Sequence, residues 1–110
     1  MSNKHMSLKE LHDTHLKLGA NDVILDVRNR DEYADVHIKG SLNIPLPELA
    51  QHADELKKYE HVYIHCKRGG RAKTAFDQLN QAGLTNLVCI SDAGMDAWVE
   101  SGFPVERGIL

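Results

Sequence analysis

The sequence has little of what marks an unusual class of protein. Its 110 residues include only two cysteines, three prolines and one tryptophan, and aromatic residues amount to 5%. Two cysteines cannot build a disulfide framework, and no apolar run approaches the roughly 20 residues that cross a membrane as a helix. Acidic residues outnumber basic ones, giving a net charge of −3 and a pI near 6.1. Neither a nucleic acid nor a membrane is therefore expected as a partner.

What remains is the composition of an ordinary globular domain. Hydrophobic residues make up 42% of the chain and charged residues 26%. A chain of this length can bury one core but leaves no room for a second domain, so we predict a single domain over residues 1–110. Residues 1–5 are polar and lack the apolar core of a secretory signal, and a cytoplasmic location is therefore expected.

The clearest chemical pattern is a short loop with the sequence HCKRGGRA at residues 65–72. The apolar run before it, residues 62–64, predicts a strand. Apolar residues at helical spacing predict a helix after it, namely Ala72, Ala75, Phe76, Leu79 and Ala82. Cys66 is therefore expected at the carboxyl end of a strand, facing the amino terminus of a helix.

This loop combines several features that favour a bound anion. Gly69 and Gly70 allow the backbone to curl so that successive N–H groups converge, and the helix dipole adds partial positive charge. Residues 66–71 also include three cations, namely Lys67, Arg68 and Arg71. We therefore predict a strongly positive local field that favours the thiolate over the thiol, with Cys66 as the nucleophile.

Helix and strand patterns alternate along the rest of the chain. Continuously apolar runs predict strands buried on both faces at residues 23–25, 62–64 and 87–90. Capping patterns and spacing predict helices at residues 8–19, 29–34, 48–59, 72–83 and 94–101, with residues 37–42 as a loop. This alternation favours an α/β fold with a parallel sheet and helices on both faces. Cys89 lies inside the third run, where a buried, inert thiol is expected.

Two charged residues follow the first predicted strand. Ligands of parallel sheets bind at the carboxyl ends of the strands, so Asp26 and Arg28 are expected near Cys66. We interpret them as a structural ion pair that supports the loop.

Several short motifs resemble those of rhodanese-like domains. Residues 25–45 contain LDVR, EY, HI, GS and NIP in the order of the family's amino-terminal signature. Gly94, Trp98 and the GFP at residues 102–104 are similar to its carboxyl-terminal signature. The likeness runs from about residue 22 to residue 104, although Val36 and Ala93 stand where the family often has glycine. Motifs in the right order and spacing are far more specific than any one alone.

The resemblance implies a rhodanese-like α/β fold with a central, mostly parallel five-stranded sheet and helices on both faces. It also implies a transferase, a thiosulfate sulfurtransferase. Cys66 would take sulfane sulfur from an anionic small-molecule donor such as thiosulfate, releasing sulfite, and hold it as a persulfide. A thiophilic acceptor would then remove it: cyanide in vitro, a thiol or a protein in the cell. The donor would be bound by the rest of the loop, namely Lys67, Arg68, Gly69, Gly70, Arg71 and Ala72. Neither a metal nor an organic cofactor is implied.

Loop length distinguishes a sulfurtransferase domain from related phosphatase and arsenate-reductase domains. Those domains place five residues between the cysteine and an arginine, which forms a cradle for a tetrahedral oxyanion. Here four residues separate Cys66 from Arg71, and Ala72 stands where the longer loop has its arginine. The smaller ring suits a single sulfur atom, and the cations Lys67 and Arg68 favour thiosulfate over mercaptopyruvate.

Other functions stay open from the sequence. Cys66 could relay sulfur to a partner protein without rapid turnover, or it could sense oxidants in a redox or interaction module. A metal site is a weaker hypothesis, since neither His12 with His15 nor His61 with His65 has further ligands to complete it. Most of the histidines are expected to be solvated.

Overall fold

The computed structural model describes residues 3–108; the two residues at each end of the predicted domain lie outside the described part. The helices are α1 Leu8–His15, α2 Arg30–Asp35, a 3-10 helix Leu46–His52, α3 Ala53–Leu56, α4 Gly70–Gln81 and α5 Met95–Glu100. The strands are β1 Lys4–His5, β2 Asp22–Asp26, β3 His37–Ile38, β4 Leu42–Asn43, β5 His61–His65, β6 Leu87–Cys89 and β7 Val105–Glu106.

Five of these strands form one parallel sheet in the order β1, β6, β5, β2, β4. The predicted α/β fold with a five-stranded, mostly parallel sheet is therefore confirmed. The central pair, β2 and β5, is in register from Asp22 opposite His61 to Asp26 opposite His65. The predicted loop at residues 37–42 is wrong in part, because His37–Ile38 pairs antiparallel with β7 and Leu42 begins β4.

Alternate side chains of the central strands enter two separate cores. On β2, Val23 and Leu25 join the core that contains residues of α3 and α4, whereas Ile24 joins the core that contains residues of α1 and α5. Side chains of a strand point to opposite faces in turn, so a continuously apolar run fills both cores. Each large apolar side chain buried in this way stabilises the fold by about 1.5–3 kcal/mol.

The capping pattern that predicts the start of the first helix is confirmed, but the helix is shorter than the predicted residues 8–19. Ser7 Oγ accepts a hydrogen bond from the Glu10 amide at 3.1 Å, and a Glu10 carboxylate oxygen accepts one from the Ser7 amide at 3.1 Å. Helix α1 ends at His15 and not at Gly19, because the Lys17 amide bonds to Thr14 three residues back and begins a turn. No helix within residues 3–108 is both long and apolar enough to cross a membrane.

Candidate active site

Cys66 lies where β5 ends and the loop to α4 begins. Its Sγ accepts hydrogen bonds from the backbone amides of Gly69, at 3.0 Å, and Ala72, at 3.3 Å. The residue is 1% exposed, so the sulfur lies at the base of the loop. Two amide donors are thus placed to donate to an anionic sulfur that forms at this position.

Further amides of the same loop are available for a ligand. Among the described residues, no acceptor takes a hydrogen bond from the amides of Lys67, Arg68, Gly70 and Arg71. They include the first amides of α4, where the helix dipole adds partial positive charge. Free N–H groups in a short loop that follows a cysteine can bind an anion or a second sulfur atom.

Helix α5 holds the loop in this orientation. The Met95 amide donates to the Cys66 carbonyl at 2.8 Å, and the Asp96 amide donates to the Lys67 carbonyl at 3.3 Å. This approach requires glycine at position 94, because a Cβ there would lie 2.2 Å from the Cys66 carbonyl oxygen. These two hydrogen bonds fix the first two peptide units of the loop against α5.

Adjacent glycines of the loop differ sharply in their tolerance of a side chain. Gly69 has a φ of +117°, and a Cβ there would lie 2.2 Å from the Ser91 carbonyl oxygen. A Cβ on Gly70 would contact nothing within 4 Å. We expect Gly69→Ala to lower the free energy of unfolding by about 2 kcal/mol or more, whereas Gly70→Ala changes it by less than about 0.5 kcal/mol. Urea unfolding followed by circular dichroism measures both, and equal losses would contradict the geometry.

Asp26 and Arg28 form a buried ion pair beside the loop. Arg28 Nε donates to Asp26 Oδ1 at 3.0 Å and Nη2 donates to Oδ2 at 2.7 Å, with the residues 0% and 3% exposed. Arg28 Nη2 also donates to the Val36 carbonyl at 2.6 Å. Because Asp26 lies opposite His65, the residue before Cys66, the pair lies next to the active loop as the sequence predicted.

Five of the seven histidines are exposed or half-buried, in line with the expectation that most are solvated, but two are buried. His65 is fully buried, 3.8 Å from Asp26 Oδ2, and His37 is buried with its Nδ1 2.7 Å from the Tyr33 carbonyl oxygen. Burial lowers the pKa of His65, so its ring is neutral at pH 7. Within residues 3–108, no three His, Cys, Asp or Glu side chains gather as a metal ion would require.

Two of the three loop cations form ion pairs with carboxylates, which the sequence did not indicate. Arg71 forms a two-pronged ion pair with Glu32 of α2, with N–O distances of 2.6 and 3.1 Å. Arg68 Nε donates to Asp96 of α5 at 3.1 Å. The hydrogen bond from Arg71 lowers the pKa of Glu32 to about 2, so this carboxylate stays ionised at any physiological pH. The predicted strongly positive field is therefore partly neutralised.

Sequence reasoning missed Glu32 and Asp96 as residues of this site. The spacing of Asn29 and Glu32 is that of a capping pattern at the start of α2, and the Glu32 carboxylate does accept a hydrogen bond from the Asn29 amide at 3.0 Å. The same side chain also reaches Arg71, which is 39 positions away in the chain. Asp96 carries no local pattern that distinguishes it from a solvated charge, so only the fold reveals its role.

The second cysteine has a different environment. Cys89 is 0% exposed within β6, as predicted, and its sulfur lies 3.8 Å from the Ala72 carbonyl oxygen. Burial raises the pKa of Cys89, which favours the neutral thiol. The two buried cysteines can therefore be compared directly, since the Cys66 sulfur accepts hydrogen bonds from amides and the Cys89 sulfur lies near a carbonyl oxygen.

Several known proteins are similar to this chain in sequence or in fold. The putative sulfur carrier protein YrkF of Bacillus subtilis is 36% identical over 75 residues, which cover 68% of this chain and 40% of that protein. The chloroplastic thiosulfate sulfurtransferase 16 of Arabidopsis thaliana is 29% identical, with 74% of this chain and 78% of that protein covered. The crystal structure of a thiosulfate sulfurtransferase from Pseudomonas aeruginosa superposes with a TM-score of 0.81 at 28% identity, covering 97% of this chain and 21% of that one.

Several curated relatives are longer than the present chain. It spans 40%, 56% and 59% of three of them, so it corresponds to one part of each. A family model for the rhodanese-like domain matches residues 7–101, which include the loop of Cys66 and both elements that hold its carboxylate partners. Together with the parallel sheet and the sulfur-handling relatives, this match shows that the chain belongs to the family of rhodanese-like domains.

Proposed function

We propose that this chain is a sulfurtransferase domain that moves sulfane sulfur through a persulfide on Cys66. The observation that carries the proposal is the position of its Sγ, which accepts two amide hydrogen bonds inside a loop whose other amides are unused. This arrangement favours a thiolate nucleophile and an anionic product on the same atom.

In the first half-reaction, the Cys66 thiolate attacks the outer sulfur of thiosulfate. A bond forms between the two sulfur atoms, the sulfur–sulfur bond of the donor breaks, and sulfite leaves with the electron pair. The three negative charges of the reactants are kept, two on sulfite and one on the persulfide. The new bond, about 2.0 Å long, places the transferable atom beyond Sγ. The free amides of Lys67, Arg68, Gly70 and Arg71 would stabilise this charge as it forms.

In the second half-reaction, a nucleophile attacks the outer sulfur of the persulfide and restores the thiolate. Cyanide would leave as thiocyanate, and a thiol or a protein thiol would leave carrying the sulfur. Both steps are displacements at sulfur, so the proposal needs neither a metal nor an organic cofactor. Asp26 and Arg28 would support the loop from behind without touching either reactant.

A sulfur carrier is the second candidate. Cys66 is only 1% exposed, and a relative that is 36% identical is named a putative sulfur carrier protein. A buried persulfide would react slowly with small nucleophiles and would wait for a partner protein. The chemistry on Cys66 is the same in both cases, and only the acceptor and the rate differ.

Intact-mass spectrometry after treatment with thiosulfate tests the shared step. We expect the protein to gain the mass of one sulfur atom, and this gain to disappear on addition of cyanide with formation of thiocyanate. Multiple turnovers with thiosulfate and cyanide support the enzyme, whereas stable loading with slow turnover supports the carrier. A protein that gains no sulfur from thiosulfate or from any other sulfane donor would contradict the proposal. Oxidation of Cys66 by peroxide would then favour the redox module.

A further inference from the structure

We infer that Glu32 and Asp96, by pairing with Arg71 and Arg68 at the active loop, select sulfur donors that carry one negative charge over the dianion thiosulfate. The inference rests on the proposed function and names the class of donor that the same site prefers. Such donors include organic thiosulfonates and the persulfides of thiols. Thiosulfate remains a substrate, but a disfavoured one.

The contact between Arg71 and Glu32 is the stronger of the two pairs. Both oxygens of Glu32 accept from the guanidinium, at 2.6 and 3.1 Å, and the side chains are only 33% and 26% exposed. Glu32 is itself fixed by its hydrogen bond with the Asn29 amide at 3.0 Å. An incoming anion therefore meets a guanidinium whose charge is already balanced and whose position is fixed.

The second pair is more exposed and joins the loop to a different helix, α5. Arg68 and Asp96 are 79% and 42% exposed, with 3.1 Å between Nε and Oδ2. Asp96 lies in the first turn of α5, and its own amide binds the Lys67 carbonyl. The carboxylate is thus fixed to the loop by its backbone, although solvent weakens the ion pair itself.

Lys67 is the remaining loop cation, and further carboxylates surround it. It lines one cavity of about 170 Å³ together with Glu32, Asp35 and Asp96. It lines another of about 390 Å³ together with Asp92, Asp96 and Glu100. When the residues of ion pairs are set aside, the two cavities are lined by three carboxylates, Asp35, Asp92 and Glu100, and by one cation, Lys67. The surroundings of the loop are therefore less favourable to a dianion than the loop sequence alone indicates.

Charge determines how strongly these carboxylates discriminate between donors. The amide ring attracts any anionic sulfur, but each carboxylate repels a dianion about twice as strongly as a monoanion. At the distances of a small surface site, one unit of charge changes an affinity by about threefold at low salt. The two carboxylates together would therefore disfavour thiosulfate by about tenfold.

Methanethiosulfonate is a matched probe for thiosulfate. The Cys66 thiolate attacks its outer sulfur, a sulfur–sulfur bond forms, and methanesulfinate leaves with the electron pair. Two negative charges enter and two leave, one on the persulfide and one on the sulfinate. The reaction at sulfur is the same as with thiosulfate, and the donor differs by one charge and one methyl group.

The experiment compares sulfur loading from the two donors in four proteins, namely the wild type, Glu32→Gln, Asp96→Asn and Glu48→Gln. Loading rates are measured by quenched-flow mass spectrometry at low and high salt. We expect the ratio of the thiosulfate rate to the methanethiosulfonate rate to rise about threefold in each of the first two variants. The rise should shrink at high salt. Glu48 also pairs with an arginine, Arg30, but lines neither cavity, so its variant should keep the wild-type ratio.

The ratio of the two loading rates distinguishes selection of donors by charge from a purely structural role of Glu32 and Asp96. If Glu32→Gln only displaced Arg71, both donors would slow together and the ratio would stay constant, which would overturn the inference. An equal rise in Glu48→Gln would overturn it as well, since net charge and not these pairs would then be responsible. A wild-type protein that loads from neither donor contradicts the proposed function itself, whereas loading with an unchanged ratio contradicts only this inference.

Discussion

Replacement of Cys66 with serine is expected to abolish sulfur loading, with a loss of about 10³-fold or more in transfer rate. A serine oxygen can still accept the amide hydrogen bonds of Gly69 and Ala72, so the fold and the loop should persist. A hydroxyl stays protonated at neutral pH and attacks sulfur poorly, so the reaction loses its nucleophile. The loss should appear both in intact mass after donor treatment and in thiocyanate production.

Cys89→Ser is the matched control for this variant. Both cysteines are buried, but the sulfur of Cys89 lies near a carbonyl oxygen, and a serine hydroxyl can donate to the same oxygen. We expect this variant to load one sulfur atom at close to the wild-type rate. Sulfur that loads onto Cys66→Ser, or fails to load onto Cys89→Ser, would move the reaction away from Cys66.

Arg28→Met is expected to cause the largest loss of stability, about 3–5 kcal/mol of unfolding free energy. The substitution leaves the Asp26 carboxylate, which is 0% exposed, without its counter-charge. It also removes the donor to the Val36 carbonyl. Since a domain of this size is stable by about 5–15 kcal/mol, this loss is a large share of the total. Urea unfolding at neutral pH gives the value directly.

A double variant distinguishes a buried charge from lost packing. In the double variant Asp26→Asn, Arg28→Met, neither buried charge remains. The asparagine oxygen can still accept the hydrogen bond that the amide of residue 28 donates to Asp26 Oδ1 at 2.9 Å in the wild type. We expect the double variant to be more stable than Arg28→Met alone by about 1–2 kcal/mol. Equal stabilities, or a single variant within about 1 kcal/mol of wild type, would show that the ion pair contributes little.

The sequence predicted those parts of the fold that local physical patterns determine. Apolar runs identified the three central strands, capping pairs identified the starts of α1 and α2, and alternation identified the parallel sheet. The Cys66 loop was also predictable, because its glycines and cations lie next to each other in the chain. The location of Asp26 and Arg28 near the loop was predictable because ligand sites of parallel sheets lie at the carboxyl ends of strands.

The parts that were missed depend on contacts between distant segments. The strand at Lys4–His5 has little apolar signal and forms only by pairing with β6. The pairing of β3 with β7 joins residues 67 or more positions apart, and neither segment has a pattern of its own. The carboxylates of Glu32 and Asp96 reach the loop from two different helices. Burial of His65 likewise depends on neighbouring strands, since the residue itself carries no sign of it.

The hydrogen bonds from α5 to the loop carbonyls restrict how the length of the loop can change. The amides of Met95 and Asp96 fix two consecutive peptide units beside the sulfur, and Gly94 leaves no space between the two backbones. An insertion that widened the loop for a bulkier oxyanion would leave these two hydrogen bonds intact only if it fell after Lys67. We therefore expect a longer loop in this scaffold to grow on the side that leads into α4, while the side bound by α5 stays as it is.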